Sequence, residues 1–272
     1  SKTKATRNSK PETRNCIMNR IIKIILLDIL KNKIVLAYTF ILAILSWSSF
    51  ALEDNSAKGL LTILNVILFT VPLVSILFAT IYLYNSSEFI ELLLSQPIKR
   101  KKIWISLFLG LSFSMIAAFF VGAGIPLLIN SPDSVGIMML LNGTLITIIF
   151  TALAFLSSIL TRDKAKGIGI AIMTWLFFAL IFDGLVLFLL FQLQDYPIEN
   201  AMVGMTALSP IDLARIQILL HLDVSAMMGY TGAIFKDFFG TSTGLIVSFL
   251  LLSLWAIIPF IISLKKFNKK DL

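Results

Sequence analysis

The sequence is poor in the residue types from which most metal sites and catalytic centres are built. It has one cysteine, one histidine and only 14% charged residues in 272 positions. The single cysteine, Cys16, excludes an intramolecular disulfide and a cysteine-based zinc site. The single histidine, His221, excludes a paired-histidine metal site within one chain. The sequence also lacks the G-x-x-x-x-G-K-[ST] loop that binds ATP, so we expect no cofactor, metal or catalytic residue on this chain.

Apolar residues take the place of the missing charges. They make up 58% of the chain, and the mean hydropathy is +0.93. Soluble domains are about half apolar and about a quarter charged, so a water-soluble fold could not cover this much apolar surface. The composition therefore predicts an all-α integral membrane protein.

Six apolar runs are long enough to cross a bilayer, which requires about 20 residues. The predicted spans cover residues 34–51, 60–84, 103–129, 138–160, 168–192 and 245–264. The third run contains the sequence GAGIP over Gly122–Pro126, which predicts a kink or a break. The fifth and sixth runs are separated by a long polar segment, 193–244, which is expected to have structure of its own.

The first 33 residues differ in character from the rest. Residues 1–17 are polar and basic, and we expect a disordered tail or an expression remnant outside the membrane domain, which covers 18–272. Apolar residues then recur at helical spacing in Met18–Lys33, with lysines between them. This pattern is typical of an amphipathic helix lying at the membrane interface. The alternative is that it simply extends the first span.

Lysine and arginine are distributed unevenly about the predicted spans. All but three of the 23 lie on the side that carries both chain ends, and the exceptions are Lys58, Arg215 and Lys236. The positive-inside rule therefore predicts that both termini are cytoplasmic and that 193–244 is on the outer side. The net charge of +8 is then explained by contact with anionic membrane lipid, and nucleic acid is not an expected partner.

The loop between the second and third spans, Asn85–Trp104, predicts a short amphipathic helix. Phe89, Leu92 and Leu93 form an apolar stripe, and Pro97 ends the helix because it disfavours helical geometry at Gln96. Such a helix is a suitable lever for a soluble partner to grip, although a plain solvated loop would carry similar charges.

The run EFIELLLSQPIKR in this loop resembles the coupling segment of ABC-2-type permeases, as do the six spans and the amphipathic N-terminal helix. The resemblance implies that two copies of the chain pair and that each contacts a cytoplasmic ABC ATPase, which holds the ATP and magnesium. The implied location is the inner membrane of a bacterium. The implied ATPase-facing residues are Glu88, Glu91, Gln96, Pro97 and Arg100.

The outer segment contains a clear helix start. Ser209 is suited to an N-cap, Pro210 to the first turn, and an acid follows at Asp212. Two short amphipathic helices are predicted, from this start to Gly229 and over Ala233–Phe239, lying on the outer membrane face or over the span ends. Arg215 is spaced to pair with Asp212.

Copper binding is one interpretation of this segment, since His221, Met227 and Met228 suit Cu(I). His221 and Met228 are seven residues apart, about 10 Å along a helix, so one ion could not bind both without a break. The alternatives are a transient site shared with a partner protein and a docking platform that holds no metal, and the spacing favours the platform.

The sequence over Ser209–Gly240 also resembles the outer segment of permease subunits from the ABC complexes that mature nitrous-oxide reductase. The matching patterns are P-x-D-L-x-R, L-D-x-S-A-x-M-G-Y-T-G-A and F-F-G. The resemblance implies a periplasmic β-helical copper-binding partner above two permease copies and two ATPases. The matching positions that we expect to contact this partner are Asp212, Arg215, His221, Asp223, Tyr230 and Phe238.

Asp183 is an acid inside the fifth apolar run. Because a charge at membrane depth is costly, such a residue commonly faces a cavity or the bundle interior. One interpretation is a hinge with Gly184 or a polar cavity between two copies, and the other is a position near the outer interface, solvated by water.

Three functions remain compatible with the sequence. The first is a permease that transmits ATPase motion to an outer partner, and the second is an ordinary ABC-2 exporter of a lipid, drug or small molecule. The third, a membrane enzyme or proton-coupled transporter, is disfavoured because Asp183 is essentially the one ionisable group within the spans.

Overall fold

A computed structural model describes residues 11–52, 56–192, 199–222 and 239–269. This part of the chain is helical and contains no strand. The helices are α1 (Pro11–Leu30), α2 (Lys33–Leu52), α3 (Ser56–Asn85), α4 (Ser87–Ser95), α5 (Arg100–Phe119), α6 (Ile125–Asn130), α7 (Ser134–Leu160), α8 (Lys164–Leu176), α9 (Phe182–Gln192), α10 (Glu199–Ala207), α11 (Pro210–His221) and α12 (Ser242–Lys269). Two π-helical turns, Phe120–Gly124 and Phe177–Ile181, join α5 to α6 and α8 to α9.

Six helical stretches in the described residues are long and apolar enough to cross a membrane. Spans 1 to 6 are Lys33–Leu52, Lys58–Asn85, Arg100–Asn130, Ser134–Leu160, Lys164–Leu189 and Thr243–Lys269. The sequence-based expectation of an all-helical protein with six spans is confirmed, with ends that differ by a few residues.

Span 4 is the centre of the bundle. It packs along spans 2 and 6 and against α11, and its side chains Phe150 and Phe155 are fully buried. Spans 1, 5 and 6 instead leave large apolar side chains exposed, including Phe40 and Phe188. These outward faces suit lipid or another apolar surface, whereas the side chains of span 4 form the protein core.

We name the two ends of the bundle by what they carry. Consecutive spans run in opposite directions, so α4 lies at the same end as the turn between spans 4 and 5. This is the α4 end. The opposite end carries the helices α10 and α11 and is called the hairpin end.

Aromatic side chains join spans 3, 4 and 6 towards the α4 end. Trp104 stacks on Phe267 with ring centroids 4.2 Å apart, and Phe108 stacks on Phe260 at 4.1 Å. The Trp104 Nε1–H also donates to the Ser263 hydroxyl at 2.7 Å. Rings of this size bury much apolar area, and the hydrogen bond sets the position of span 3 along span 6. The three spans are therefore held together at this end.

The GAGIP sequence does not break span 3. Its helix continues through the π-helical turn Phe120–Gly124, which supplies the extra width that accommodates Pro126. Span 1 approaches closely here, because a Cβ on Gly122 would lie 3.0 Å from the Thr39 carbonyl oxygen. Glycine therefore permits helix contact at this position, and the predicted kink takes the form of a widened turn.

The N-terminal helix α1 packs along span 3. Its residues Ile21, Ile25 and Ile29 are buried, and a Cβ on Gly110 would lie 2.8 Å from Ile25 Cγ2. The helix begins at Pro11, within the predicted tail of 1–17, and residues 1–10 lie outside the described residues. It ends at Leu30, before span 1 begins, so the two are separate helices.

Helices α10 and α11 form a hairpin that enters the bundle between its spans. The Ala207 carbonyl at the end of α10 accepts a hydrogen bond from Trp255 Nε1 at 3.2 Å. Trp255 follows the start of span 6 by about three helical turns, or roughly 18 Å along the axis. The tip of the hairpin therefore lies deep in the bundle, between spans 4 and 6.

This depth corrects the expectation of two helices resting on the membrane face or over the span ends. Helix α11 does begin at Pro210 as predicted, but it ends at His221 rather than continuing to Gly229. Helix α10 was not anticipated from the sequence. The predicted helix over 233–239 lies outside the described residues except for Phe239.

Candidate functional site

The surface of α4 is the first candidate site. Helix α4 packs between the ends of α3 and α5 and buries Ile90 and Leu93, three residues apart. Glu88, Glu91 and Leu92 project from the exposed side. The apolar stripe predicted from the sequence is therefore only partly correct, because Leu93 faces the bundle but Phe89 and Leu92 face outwards.

The end of α4 follows the local rule for a residue before proline. Gln96 has extended backbone angles, φ −80° and ψ 158°, and both Gln96 and Pro97 are exposed. Helix α5 then begins at Arg100, whose side chain is half-buried. The five residues predicted to face an ATPase thus lie on α4, just after it, or at the first residue of α5.

Polar contacts join the last turn of α3 to the turn between spans 4 and 5. The Tyr84 hydroxyl is 2.7 Å from Thr161 Oγ1 and 3.2 Å from the Thr161 carbonyl oxygen. Lys164 Nζ donates to Asn85 Oδ1 at 2.7 Å. This junction connects the end of α3, which leads into α4, to spans 4 and 5, and sequence reasoning did not identify it.

The second candidate site is the charged group at the hairpin end. Ser209 caps α11 by accepting a hydrogen bond from the Asp212 N–H at 3.3 Å, as the S-P-I-D sequence predicts. This cap fixes the first turn of α11 and directs Asp212 into the bundle, where the residue is only 9% exposed.

Arg215 joins two carboxylates in this group. Its Nη1 donates to Asp212 Oδ1 at 3.2 Å and to Asp183 Oδ2 at 2.9 Å. About one third of each of the Arg215 and Asp183 side chains is exposed. The predicted Asp212–Arg215 pair is therefore confirmed. The pair with Asp183 was not anticipated, and it gives this acid a partner within its own chain.

The group has one more carboxylate than cation. Burial, followed by the neighbouring Asp183 carboxylate, raises the pKa of Asp212 to about 7, while Ser209 and Arg215 act in the opposite direction. Asp212 Oδ2 is buried and has no hydrogen-bond partner among the described residues. One proton near neutral pH would balance the charge of the three side chains.

A cavity of about 390 Å³ opens beside Arg215. Asn65, Phe69 and Thr70 of span 2 form one wall, and Ile211 and Ala179 form the other. The cavity is mostly apolar with a charged group at one side, which is the general character of a site for a small amphipathic molecule.

The other predicted contact residues are placed less completely. His221 is the last residue of α11 and is half-buried, while Asp223, Tyr230 and Phe238 lie outside the described residues. Met227 and Met228 do so as well. In the part of the chain that the structure describes, no three histidine, cysteine or acidic side chains converge as a metal site would require.

The run GTSTG over 240–244 has the letters of a hydrolase nucleophile turn. That turn connects a strand to a helix, whereas Phe239, the one described residue directly before this run, is helical and Ser242 itself begins α12. We therefore assign no catalytic role to Ser242.

Comparison with known proteins agrees with this architecture. Residues 61–272 match the model of the family described as ABC-2 family transporter protein. The match covers most of the chain, including α4 and the hairpin, and the chain belongs to this family. It is thus an ABC transporter permease, a class of subunit that generally pairs with a second permease and works with a separate ATPase.

Two relatives carry the description "Probable ABC transporter permease protein NosY". The protein from Pseudomonas aeruginosa PAO1 is 26% identical over 225 residues, which is 75% of this chain and 82% of the relative. The protein from Stutzerimonas stutzeri is 25% identical over 212 residues, which is 70% of this chain and 76% of the relative.

Proposed function

We propose that this chain couples ATP hydrolysis by a cytoplasmic partner to a periplasmic copper-binding protein, and so assists copper-site maturation of nitrous-oxide reductase. The observation that carries the proposal is the extended resemblance over Ser209–Gly240. The similarity to two permeases described as NosY supports it. The copper would be bound by the periplasmic partner, and the ATP and magnesium by two ATPase copies.

The proposed location is the inner membrane of a bacterium, with both termini in the cytoplasm. The basic residues near the ends of spans 3, 5 and 6 support this orientation, because positive charge accumulates on the cytoplasmic side. The α4 end is then cytoplasmic, and the hairpin end is periplasmic.

The proposed ATPase contact is the exposed side of α4 and the segment that follows it. Glu88, Glu91 and Leu92 offer two acids and one apolar side chain on a rigid helix, and Gln96, Pro97 and Arg100 continue the surface. A partner that pushes on α4 would move span 2 directly and spans 4 and 5 through Tyr84.

The proposed periplasmic contact is the segment that follows α11. His221 lies at its start, and Asp223, Tyr230 and Phe238 are proposed to extend it. Asp212 and Arg215 are mostly turned into the bundle, so we propose that they position this surface more than they form it.

Purification of the tagged full-length chain with its natural partners tests the proposal. We expect a cytoplasmic ABC ATPase and a β-helical copper-binding protein to remain bound, two permeases and two ATPases to one copper protein. Substitution of Tyr230 and Phe238 by alanine should release the copper protein and leave the ATPase in place. Retention of the copper protein by this variant would count against the proposed surface.

An exporter of a lipid, drug or small molecule is the second candidate function. The cavity beside Arg215 favours it, since its volume suits a small molecule. Recovery of an ATPase without any periplasmic partner, together with ATPase stimulation by an added amphipathic compound, would support export and oppose the maturation role.

A further inference from the structure

Span 5 is connected to the hairpin at two separate levels, once through span 6 and once directly. At the deeper level, Phe178 packs edge-on against Trp255 with ring centroids 5.3 Å apart, and the Trp255 indole holds the hairpin tip at Ala207. Towards the hairpin end, Asp183 accepts the hydrogen bond from Arg215. The deeper connection passes through span 6, by a ring contact and one hydrogen bond, whereas the second joins span 5 directly to α11.

The chemistry of the second contact makes it specific. A guanidinium that donates to two carboxylates requires a specific geometry of donor and acceptor. At a partly buried position, separating such a charge from its partner costs free energy. The Arg215 side chain is one turn of α11 beyond Asp212, so its position is set by the Ser209 cap. Movement of Asp183 therefore pulls on a helix whose first turn is already fixed.

The position along span 5 also favours transmission. Asp183 is the second residue after the π-helical turn Phe177–Ile181, a type of turn that often occurs at functional sites in helices. Before this turn, Trp175 Nε1 donates to the Phe69 carbonyl oxygen of span 2 at 3.2 Å. The lower part of span 5 is thus tied to span 2, which leads to α4, and the upper part is tied to the hairpin.

We propose that Asp183 and Arg215 are positioning residues that transmit movement of span 5 to the hairpin and so to the end of α11 at His221. This inference rests on the proposed function, because it requires ATPase motion to be passed to the hairpin end. Neither residue needs to touch the partner. They set where the end of α11 lies in each nucleotide state.

The two residues are not equivalent in this link. Asp183→Asn leaves the neutral Asp212–Arg215 pair intact, whereas Arg215→Gln leaves two carboxylates facing each other without a cation. We therefore expect Arg215→Gln to displace the hairpin more than Asp183→Asn does. Exchange of the two charges, Asp183→Arg with Arg215→Asp, restores the same net charge across the contact.

The experiment measures the labelling rate of a single thiol at the end of α11. Leu222→Cys is introduced with Cys16→Ser, and the full permease–ATPase complex is labelled with a maleimide in lipid nanodiscs, with and without ATP and vanadate. We expect the nucleotide to change the rate by about fivefold or more, the lower end of usual coupling between sites. The change should shrink in Asp183→Asn, disappear in Arg215→Gln and return in the charge exchange.

A control separates this link from a general loss of charge or stability. Lys58→Gln removes an exposed cation from the hairpin end and should leave the nucleotide response unchanged. Single variants that keep the full response, or a charge exchange that fails to restore it while the complex stays assembled, would overturn the link. A complex without substitutions at 183 or 215 that shows no nucleotide response would instead overturn the proposed relay itself.

Discussion

Arg215 is one cation between two carboxylates, and this excess of negative charge affects the protonation of Asp212. With a pKa of about 7 in the folded protein and an ordinary value of 3.8, Asp212 keeps its proton over a wider pH range when folded than when unfolded. The folded state then binds more protons between these two values, so stability falls as the pH rises through this window.

We expect Asp212→Asn to remove most of this pH dependence. The amide keeps the shape and an acceptor oxygen but carries no charge, so the thermal unfolding temperature of the purified permease should decline less between pH 4 and pH 7. The measurement is unfolding in detergent followed by tryptophan fluorescence. Glu88→Gln, an exposed acid at the other end, is the control and should retain the decline.

The contact between Tyr84 of α3 and the start of span 5 determines how these two helices move together. The Tyr84 side chain fits over Gly167, where any added side-chain atom would overlap the tyrosine hydroxyl, whereas Gly169 on the same helix has open space. The small residue at 167 is thus required by the junction between α3 and span 5.

We predict that Gly167→Ala and Gly169→Ala behave differently. Gly167→Ala should displace Tyr84 and lower the free energy of unfolding by about 1–3 kcal/mol, as overpacking usually does. Gly169→Ala should be neutral or stabilising by up to about 1 kcal/mol, because alanine favours the helix. Equal effects in thermal unfolding would show that the Tyr84 junction does not constrain span 5.

At α4, charge reversal tests the lever. Glu88→Lys with Glu91→Lys should detach or uncouple the ATPase and leave membrane insertion intact, because both side chains are exposed and neither supports the bundle. The measurement is ATPase recovery with the tagged permease. Glu88→Gln with Glu91→Gln should have a smaller effect, and unchanged binding in the reversed variant would contradict the lever.

Some helices of this protein could be predicted from the sequence and others could not. Length and hydropathy were sufficient to predict the six spans. The start of α11 at Ser209-Pro210 could also be predicted, because helix capping depends on neighbouring residues alone. Helix α10 has nine residues of mixed polarity, too short for its pattern to distinguish a surface helix from one inside a bundle. The Asp183–Arg215 pair joins residues 32 positions apart. Only the packing of the helices brings them together, so no local sequence pattern predicts the contact.

For the whole molecule, the decisive property is which end faces the cytoplasm. Cysteine at Ser95 and cysteine at Leu222, each with Cys16→Ser, mark the α4 end and the hairpin end. In intact cells with a permeable outer membrane, an impermeant maleimide should label the second and not the first. Labelling of Ser95→Cys alone would reverse the orientation and remove the basis for a periplasmic partner.

The π-helical turn Phe177–Ile181 is equivalent to one extra residue inserted into a regular helix. Loss of that residue would restore 3.6 residues per turn and rotate everything beyond it by about 100°. Asp183 would then point away from Arg215, although Trp175 would still bond to span 2. The length of span 5, to a single residue, therefore determines which side chain α11 meets, and a one-residue deletion there would break the Asp183–Arg215 contact without altering either residue.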